Sequence, residues 1–288
     1  MCSAATLKLT TRIHDRDVAG MTYVYPVVSR RARGVSVGVN LSPNNACNFR
    51  CVYCQVPGLT FGKAPEIDLV LLETELRDFL TALVRGDYME KHVPAEARVL
   101  RDVAFSGNGE PTSSDVFDEV VNVTGRVLAE FSLLGKLEVV LITNGVLCHQ
   151  AHVKRGLEAM AAMNGRVWFK IDSATEAGQA RINNFRGGLD RVRTNLEIAS
   201  RACPTWIQTC VFEWSEDGGP SAEERAAYLD LLSWAKEREL PLLGVLLYGL
   251  ARQSHQPEAP QLRALPGEWL QEFAREIEAR GLPVRVHL

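Results

Sequence analysis

The sequence predicts an α/β fold built on a parallel sheet. Short apolar runs of strand length alternate with longer stretches whose apolar residues recur at three- and four-residue spacing, and six such strand–helix pairs follow one another along the chain. Strict alternation implies parallel strands joined by right-handed helical crossovers. A curved partial barrel and a flat doubly wound sheet both satisfy this pattern. In either one, chemistry gathers at the carboxyl ends of the strands.

The elements are expected in this order. A strand at residues 35–41 leads into a cysteine-bearing loop, and a helix at 68–85 follows with Leu69, Leu72, Leu76, Phe79, Leu80 and Leu83 on one face. The second pair is a strand at 103–106 and a helix from about 114 to 134, carrying Phe117, Val120, Val121, Thr124, Val127, Leu128 and Phe131 at helical spacing. Strands at 137–143 and 166–172 precede helices at 149–163 and around 189–201. The last two pairs are 205–212 with 221–238, and 242–248 with 267–280.

Composition narrows the function classes. The chain of 288 residues is 46% hydrophobic and 23% charged, enough to bury a large core, and no period of repetition breaks it up. A formal charge of -3 argues against a uniformly basic nucleic-acid-binding surface. The first residues contain Lys8, Arg12, Asp15, Arg16 and Asp17 and no signal-like apolar run, and no stretch approaches the roughly 18 apolar residues of a membrane span, so a cytoplasmic protein is expected. Seven cysteines, three of them crowded into eight residues, suit a metal site in a reducing compartment. Cys2, Cys148, Cys203 and Cys210 are scattered.

The crowded segment is Cys47-Asn48-Phe49-Arg50-Cys51-Val52-Tyr53-Cys54. Three thiolates fall one residue short of the four that close a cubic iron–sulfur cluster, which leaves one iron open to an exogenous molecule. Structural zinc wants a fourth ligand, usually Cys or His, and no further Cys or His lies within thirty residues on either side. A chance cluster of buried cysteines is the bland alternative. A second motif, Phe105-Ser106-Gly107-Asn108-Gly109-Glu110-Pro111-Thr112, puts two glycines and an acid directly after a strand. Glycines there permit close backbone approach to a ligand, and Glu110 is suited to accept a hydrogen bond from an ammonium group. An ordinary strand-to-helix turn, with Thr112, Ser113 or Ser114 as cap, reads the same way.

The cysteine spacing, with an aromatic residue before the last cysteine, resembles the signature loop of the radical S-adenosylmethionine (SAM) superfamily. The resemblance implies a partial parallel (β/α)6 barrel forming one radical SAM domain over residues 1–288, with its core at about 35–250, a short N-terminal extension and a C-terminal helix. It implies that Cys47, Cys51 and Cys54 hold one 4Fe–4S cluster and that S-adenosylmethionine chelates the open iron. An electron from a donor such as flavodoxin or ferredoxin would then cleave the cofactor to a 5′-deoxyadenosyl radical. Gly107, Asn108, Gly109 and Glu110 match the segment that takes the methionyl amine, with Asn108 replacing one glycine of a contiguous pair. Tyr53, Asn144, Asp172 and Ser173 match positions near the nucleoside, although strand ends in any parallel sheet are polar and Asn144, Asp172 and Ser173 also suit helix capping.

The order of motifs is most similar to a compact branch near the wyosine-type tRNA-modifying enzymes, but only Cys2 precedes Cys47, where archaeal members of that group carry further cysteines for a second cluster. The expected substrate is a small molecule or nucleotide-like group, with tRNA as the alternative. A cluster-binding electron-transfer or sensor protein that does not cleave S-adenosylmethionine is the rival of another class. Lys170 is either a substrate or cofactor contact or a snorkelling lysine. Gln208, inside an apolar strand, needs hydrogen-bond partners and is expected to face the barrel interior. Arg181, Arg186, Arg191, Arg193 and Arg201 form a basic interval, preferred as a solvated helix face and able to join Arg30, Arg31 and Arg33 in a phosphate-binding face. Tyr248, Arg252 and His255 follow the sixth strand, His255 as a candidate substrate contact.

Overall fold

A computed structural model describes Leu9, residues 20–29 and residues 34–287. The apolar runs form an eight-stranded sheet whose spatial order is the chain order: β1 (Val24–Ser29), β2 (Gly34–Val39), β3 (Leu100–Phe105), β4 (Glu138–Thr143), β5 (Gly165–Lys170), β6 (Thr205–Cys210), β7 (Leu242–Tyr248) and β8 (Val284–His287). β2 to β8 pair in parallel, and β1 runs antiparallel to β2. β2 to β7 are the six expected strands. The outer strands β1 and β8 do not pair with each other, so the curved sheet is an open, partial barrel.

The helices are α1 (Leu69–Val84), α2 (Tyr88–His92), α3 (Phe117–Glu130), α4 (Ala151–Ala161), α5 (Glu176–Asn183), α6 (Leu189–Ala202), α7 (Ala222–Glu237) and α8 (Gly267–Glu278). Six of them are the expected crossover helices. α1 starts where the Asp68 carboxylate accepts the N–H groups of Val70 and Leu71 at 3.0 and 2.9 Å, and α7 starts at a capping box of Ser221 and Glu224. No helix among the described residues is long and apolar enough to cross a membrane.

Four elements lie outside the expectation: β1, β8, α2 and α5. Pro26 interrupts the apolar run of β1, a position tolerated because an edge strand need not donate every N–H. Residues two apart on a strand share a face, and this alternation divides the sheet. Val35, Val37, Val39, Val103, Phe105, Val139, Leu141, Val167 and Phe169 are buried against the helices in the main core. The other face presents Ser36, Asp102, Ser106, Trp168, Lys170 and Gln208 to a cavity of about 340 Å³.

Candidate active site

The loop after β2 brings Cys47, Cys51 and Cys54 to the rim of that cavity. A two-residue ladder, Ala46–Cys47 beside Thr60–Phe61, holds the first cysteine. The segment after β7 holds the last: Ser254 Oγ donates to the Val52 carbonyl at 2.7 Å, His255 N–H to the Cys54 carbonyl at 2.9 Å, and Gln256 Nε2 to the Val56 carbonyl at 3.1 Å. Arg50 makes a bidentate pair with Glu258 at 2.7 and 3.0 Å. The third support is the C-terminal end of α5. A helix leaves its last carbonyls without internal partners, and here Ile182 and Asn183 accept the N–H groups of Val52 at 2.8 Å and Arg50 at 3.1 Å.

The tip of β3 packs directly on this loop. Gly107 has φ +156°, and a Cβ at Gly109 would lie 2.0 Å from the Ala46 carbonyl, so only glycine lets the strand tip approach the residue before Cys47. Asn40 Oδ1 accepts the N–H of Asn108 at 3.0 Å, and Asn108 Nδ2 donates to Asn45 Oδ1 at 2.6 Å. Glu110, 3% exposed, lines the cavity, yet its carboxylate accepts from Thr112 N and Oγ1, Thr143 Oγ1 and Asn144 N at 2.6–3.1 Å. Burial pushes its carboxyl above the usual range against those donors. This corrects the picture of an open acceptor: Glu110 ties the tips of β3 and β4 together. Asn144 Nδ2 likewise reaches into the cysteine loop, donating to Asn48 Oδ1 at 2.7 Å.

Asp172 is the second hub. Its side chain is 1% exposed and accepts from the Cys210 N–H at 2.9 Å, from Asn183 Nδ2 at 2.8 Å and from the Tyr53 hydroxyl. Asp172 thus faces the back of the cysteine loop rather than the cavity. Ser173 is turned away too, its hydroxyl accepting the N–H of Thr175 at 3.2 Å. Lys170 lines the cavity, donates to the Tyr248 hydroxyl at 3.0 Å and lies 4.9 Å from the centre of the Tyr53 ring. Burial works against its ammonium, but the Asp172 carboxylate at 3.9 Å keeps it charged, above the ordinary lysine range.

Below the strand tips the cavity floor carries Asp102, which accepts the Ser36 hydroxyl and whose carboxyl burial pushes up to about 6. Gln208 faces the interior as expected, 1% exposed, with no hydrogen-bond partner for its amide among the described residues. Tyr248 and Arg252 also line the cavity, whereas the His255 side chain is exposed outside it. Arg181, on α5, pairs with Asp217 and lies over Trp214; on α6, Arg193 pairs with Asp190 at 3.7 Å and Arg201 with Glu197 at 3.1 Å, while Arg186 and Arg191 are exposed, so the interval is solvated as expected but spread over two helices and partly ion-paired. Arg30, Arg31, Arg33 and Cys2 lie outside the described residues. Cys148 and Cys203 are buried in the main core, and Cys210 lines the cavity.

The donor set suits an iron–sulfur cluster. None of the six described cysteines forms a disulfide, and soft thiolates select such clusters over hard cations. No group of three His, Cys, Asp or Glu among the described residues is placed to hold a single metal ion. Burial pushes the Cys47 thiol well up and the Cys51 thiol to about 12, the latter against the pull of the Lys170 ammonium and the Asn183 amide. Metal coordination supplies the charge that such buried thiolates lack. Sequence reasoning missed the clamps Ser254, Gln256, Glu258 and Asn183, which carry no motif and lie far along the chain.

A family model described as the Radical SAM superfamily matches residues 41–217. The UPF0026 protein slr1464 of Synechocystis sp. is 26% identical over 281 residues, covering 91% of this chain and 95% of that protein. A GTP 3′,8-cyclase of a Mycobacterium species is 28% identical over 188 residues, 65% of this chain and 46% of the cyclase, so this chain matches less than half of that enzyme. A solved radical SAM methyltransferase from Sphaerobacter thermophilus superposes with a TM-score of 0.61 at 14% identity, over 88% of this chain and 66% of that one, a likeness of fold.

Proposed function

This chain belongs to the radical SAM superfamily, whose enzymes use a 4Fe–4S cluster and S-adenosylmethionine, and from that premise we propose that Cys47, Cys51 and Cys54 are its cluster ligands and that the cavity beneath them takes cofactor and substrate. The observation that carries this reading is that all three thiols line one cavity together with the Gly107–Gly109 tip. When bound, the cluster passes one electron to S-adenosylmethionine, whose cleavage gives a 5′-deoxyadenosyl radical that abstracts hydrogen from the substrate.

The protein's own part is to hold and enclose. Gly107, Asn108, Gly109 and Glu110 shape the strand tip against the loop, where the amine-bearing end of the cofactor is accommodated. Tyr53 and Asn144 flank the same opening, and Asp172 keeps Tyr53 in place. Ser173, turned away, drops out of the contact set. The charged Lys170 offers its ammonium to an anionic group in the cavity. A charged amine is not a nucleophile, which favours recognition over covalent chemistry there.

The substrate we favour is a small molecule or nucleotide-like group. A cavity of about 340 Å³ suits it, and the GTP-cyclising relative acts, by its name, on a nucleotide. The ion pairs of Arg181, Arg193 and Arg201 leave less free positive charge for tRNA. The whole chain serves as one radical SAM domain, reduced by a low-potential donor such as flavodoxin or ferredoxin in the reducing cytoplasm. The test is anaerobic incubation of the reconstituted protein with reductant and S-adenosylmethionine: 5′-deoxyadenosine is expected, and a fully loaded cluster that yields none would leave the electron-transfer or sensor rival in its place.

A further inference from the structure

Asn183 ends α5 with 5% of its surface exposed, and its carboxamide nitrogen lies 3.2 Å from Cys51 Sγ and 2.8 Å from Asp172 Oδ2. A primary amide has two N–H donors, and both are spent here. Asp172, an acceptor, fixes which end of the amide faces it, so the N–H groups and not the carbonyl are aimed at the sulfur. The hub is itself pinned by the Cys210 N–H and the Tyr53 hydroxyl. The main-chain carbonyl of Asn183 meanwhile holds the N–H of Arg50, the residue before Cys51. One residue thus holds the cysteine loop at two adjacent positions, Arg50 through its main chain and Cys51 through its side chain. Cys47 Sγ accepts an N–H as well, from the Phe49 backbone at 3.4 Å, but no substitution removes that donor cleanly.

We propose that Asn183 is a positioning residue that sets the reduction potential of the cluster through its N–H···S bond to Cys51. Adding one electron from an external low-potential reductant raises the negative charge on the ligand sulfurs. A donor aimed at one of them binds the reduced state more tightly than the oxidised state and moves the potential upward. The electron that cleaves S-adenosylmethionine then enters the cluster more readily. The inference rests on the reading of Cys51 as a ligand.

Asn183→Leu keeps nearly the same shape and removes the donors. Wild-type and variant full-length chains are reconstituted anaerobically, assayed for iron and sulfide, and titrated with a low-potential reductant while the reduced cluster is followed by electron paramagnetic resonance. The expected result is a loaded N183L cluster whose midpoint is more negative, so that at the wild-type midpoint the oxidised-to-reduced ratio rises several-fold, tenfold corresponding to 59 mV for one electron. A loaded variant with the wild-type midpoint overturns the proposal. If N183L does not load, Asn183→Ser, whose shorter side chain also loses the amide, decides: a loaded cluster with a lowered midpoint supports it, and a wild-type midpoint or failure to load overturns it in favour of a purely structural role. A wild-type chain that takes up no cluster, or a Cys51→Ala chain that loads fully, brings down the ligand reading itself, a failure distinguishable from the first.

Discussion

Asp102→Asn should make the protein more stable at neutral pH. Asp102 is 6% exposed on the cavity floor, and its burial, helped by the Glu138 charge and opposed by the Ser36 hydroxyl, raises its carboxyl from 3.8 to about 6. Below pH 3.8 the group is protonated both folded and unfolded and contributes no difference. As pH rises through that value the unfolded chain releases its proton while the native state keeps it. The native state then binds more protons, and stability falls until the folded carboxyl ionises near pH 6. A shift of about two units at 1.36 kcal/mol each puts the full loss at about 3 kcal/mol, reached above about pH 7, with roughly half present at about pH 5. The asparagine keeps an oxygen for Ser36 and carries no charge, so it removes this loss. Urea unfolding followed by circular dichroism, on both chains at about pH 5 and pH 8, measures it. The gain of the variant should grow by about 1.5 kcal/mol between the two conditions, and an Asp102→Asn chain destabilised by the same amount at both would refute the reasoning.

Four further outcomes are expected. Cys47→Ala, Cys51→Ala and Cys54→Ala each abolish iron binding and 5′-deoxyadenosine formation, while Cys148→Ala, Cys203→Ala and Cys210→Ala keep their iron; a colorimetric iron assay that showed loss in the second group would enlarge the ligand set. Gly109→Ala drives a methyl group into the Ala46 carbonyl 2.0 Å away, so iron per chain should drop to a small fraction of wild type, and full loading would mean that the loop yields freely. Glu110→Ala strands the donors of Thr112, Thr143 and Asn144, each orphan costing about 1–3 kcal/mol, so the melting temperature should fall by several degrees and S-adenosylmethionine binding weaken about tenfold or more in anaerobic titration. An unchanged melt and affinity would remove Glu110 from the site. Bulk tRNA should bind weakly across a salt series, and tight binding that collapses between low and physiological salt and speeds cofactor cleavage would promote tRNA to the preferred substrate.

The strands β2 to β7 and their helices were legible because each obeys a single period, and the three cysteines because they crowd into eight residues. α5 was not legible. Its buried residues, Gly178, Gln179 and Asn183, are small or polar, so no apolar stripe marks its inner face. β1 was hidden by Pro26, whose cost depends on a sheet edge that only the fold defines. At the site, the residue types at the strand tips were readable but their partners were not. Glu110, Asn144 and Asp172 looked like open ligands, and the structure spends most of their hydrogen bonds on one another's loops. A sequence shows that a polar group stands at a strand end; which neighbour satisfies it depends on contacts that reach as far as 119 positions along the chain.

The clamp of Ser254 on the Val52 carbonyl joins residues 202 positions apart, and this separation sets a clock during synthesis. At about 5–20 residues per second a ribosome needs about 10–40 s to carry the chain from the cysteines to Ser254. The strands β1 to β6 pair only with sequence neighbours and are free to assemble as they emerge. Throughout that interval the Cys54 carbonyl lacks its donors from the far segment, and Arg50 lacks Glu258. The cysteine loop therefore gains its last clamps, from Ser254, His255 and Glu258, only after the strands β1 to β7 have been made.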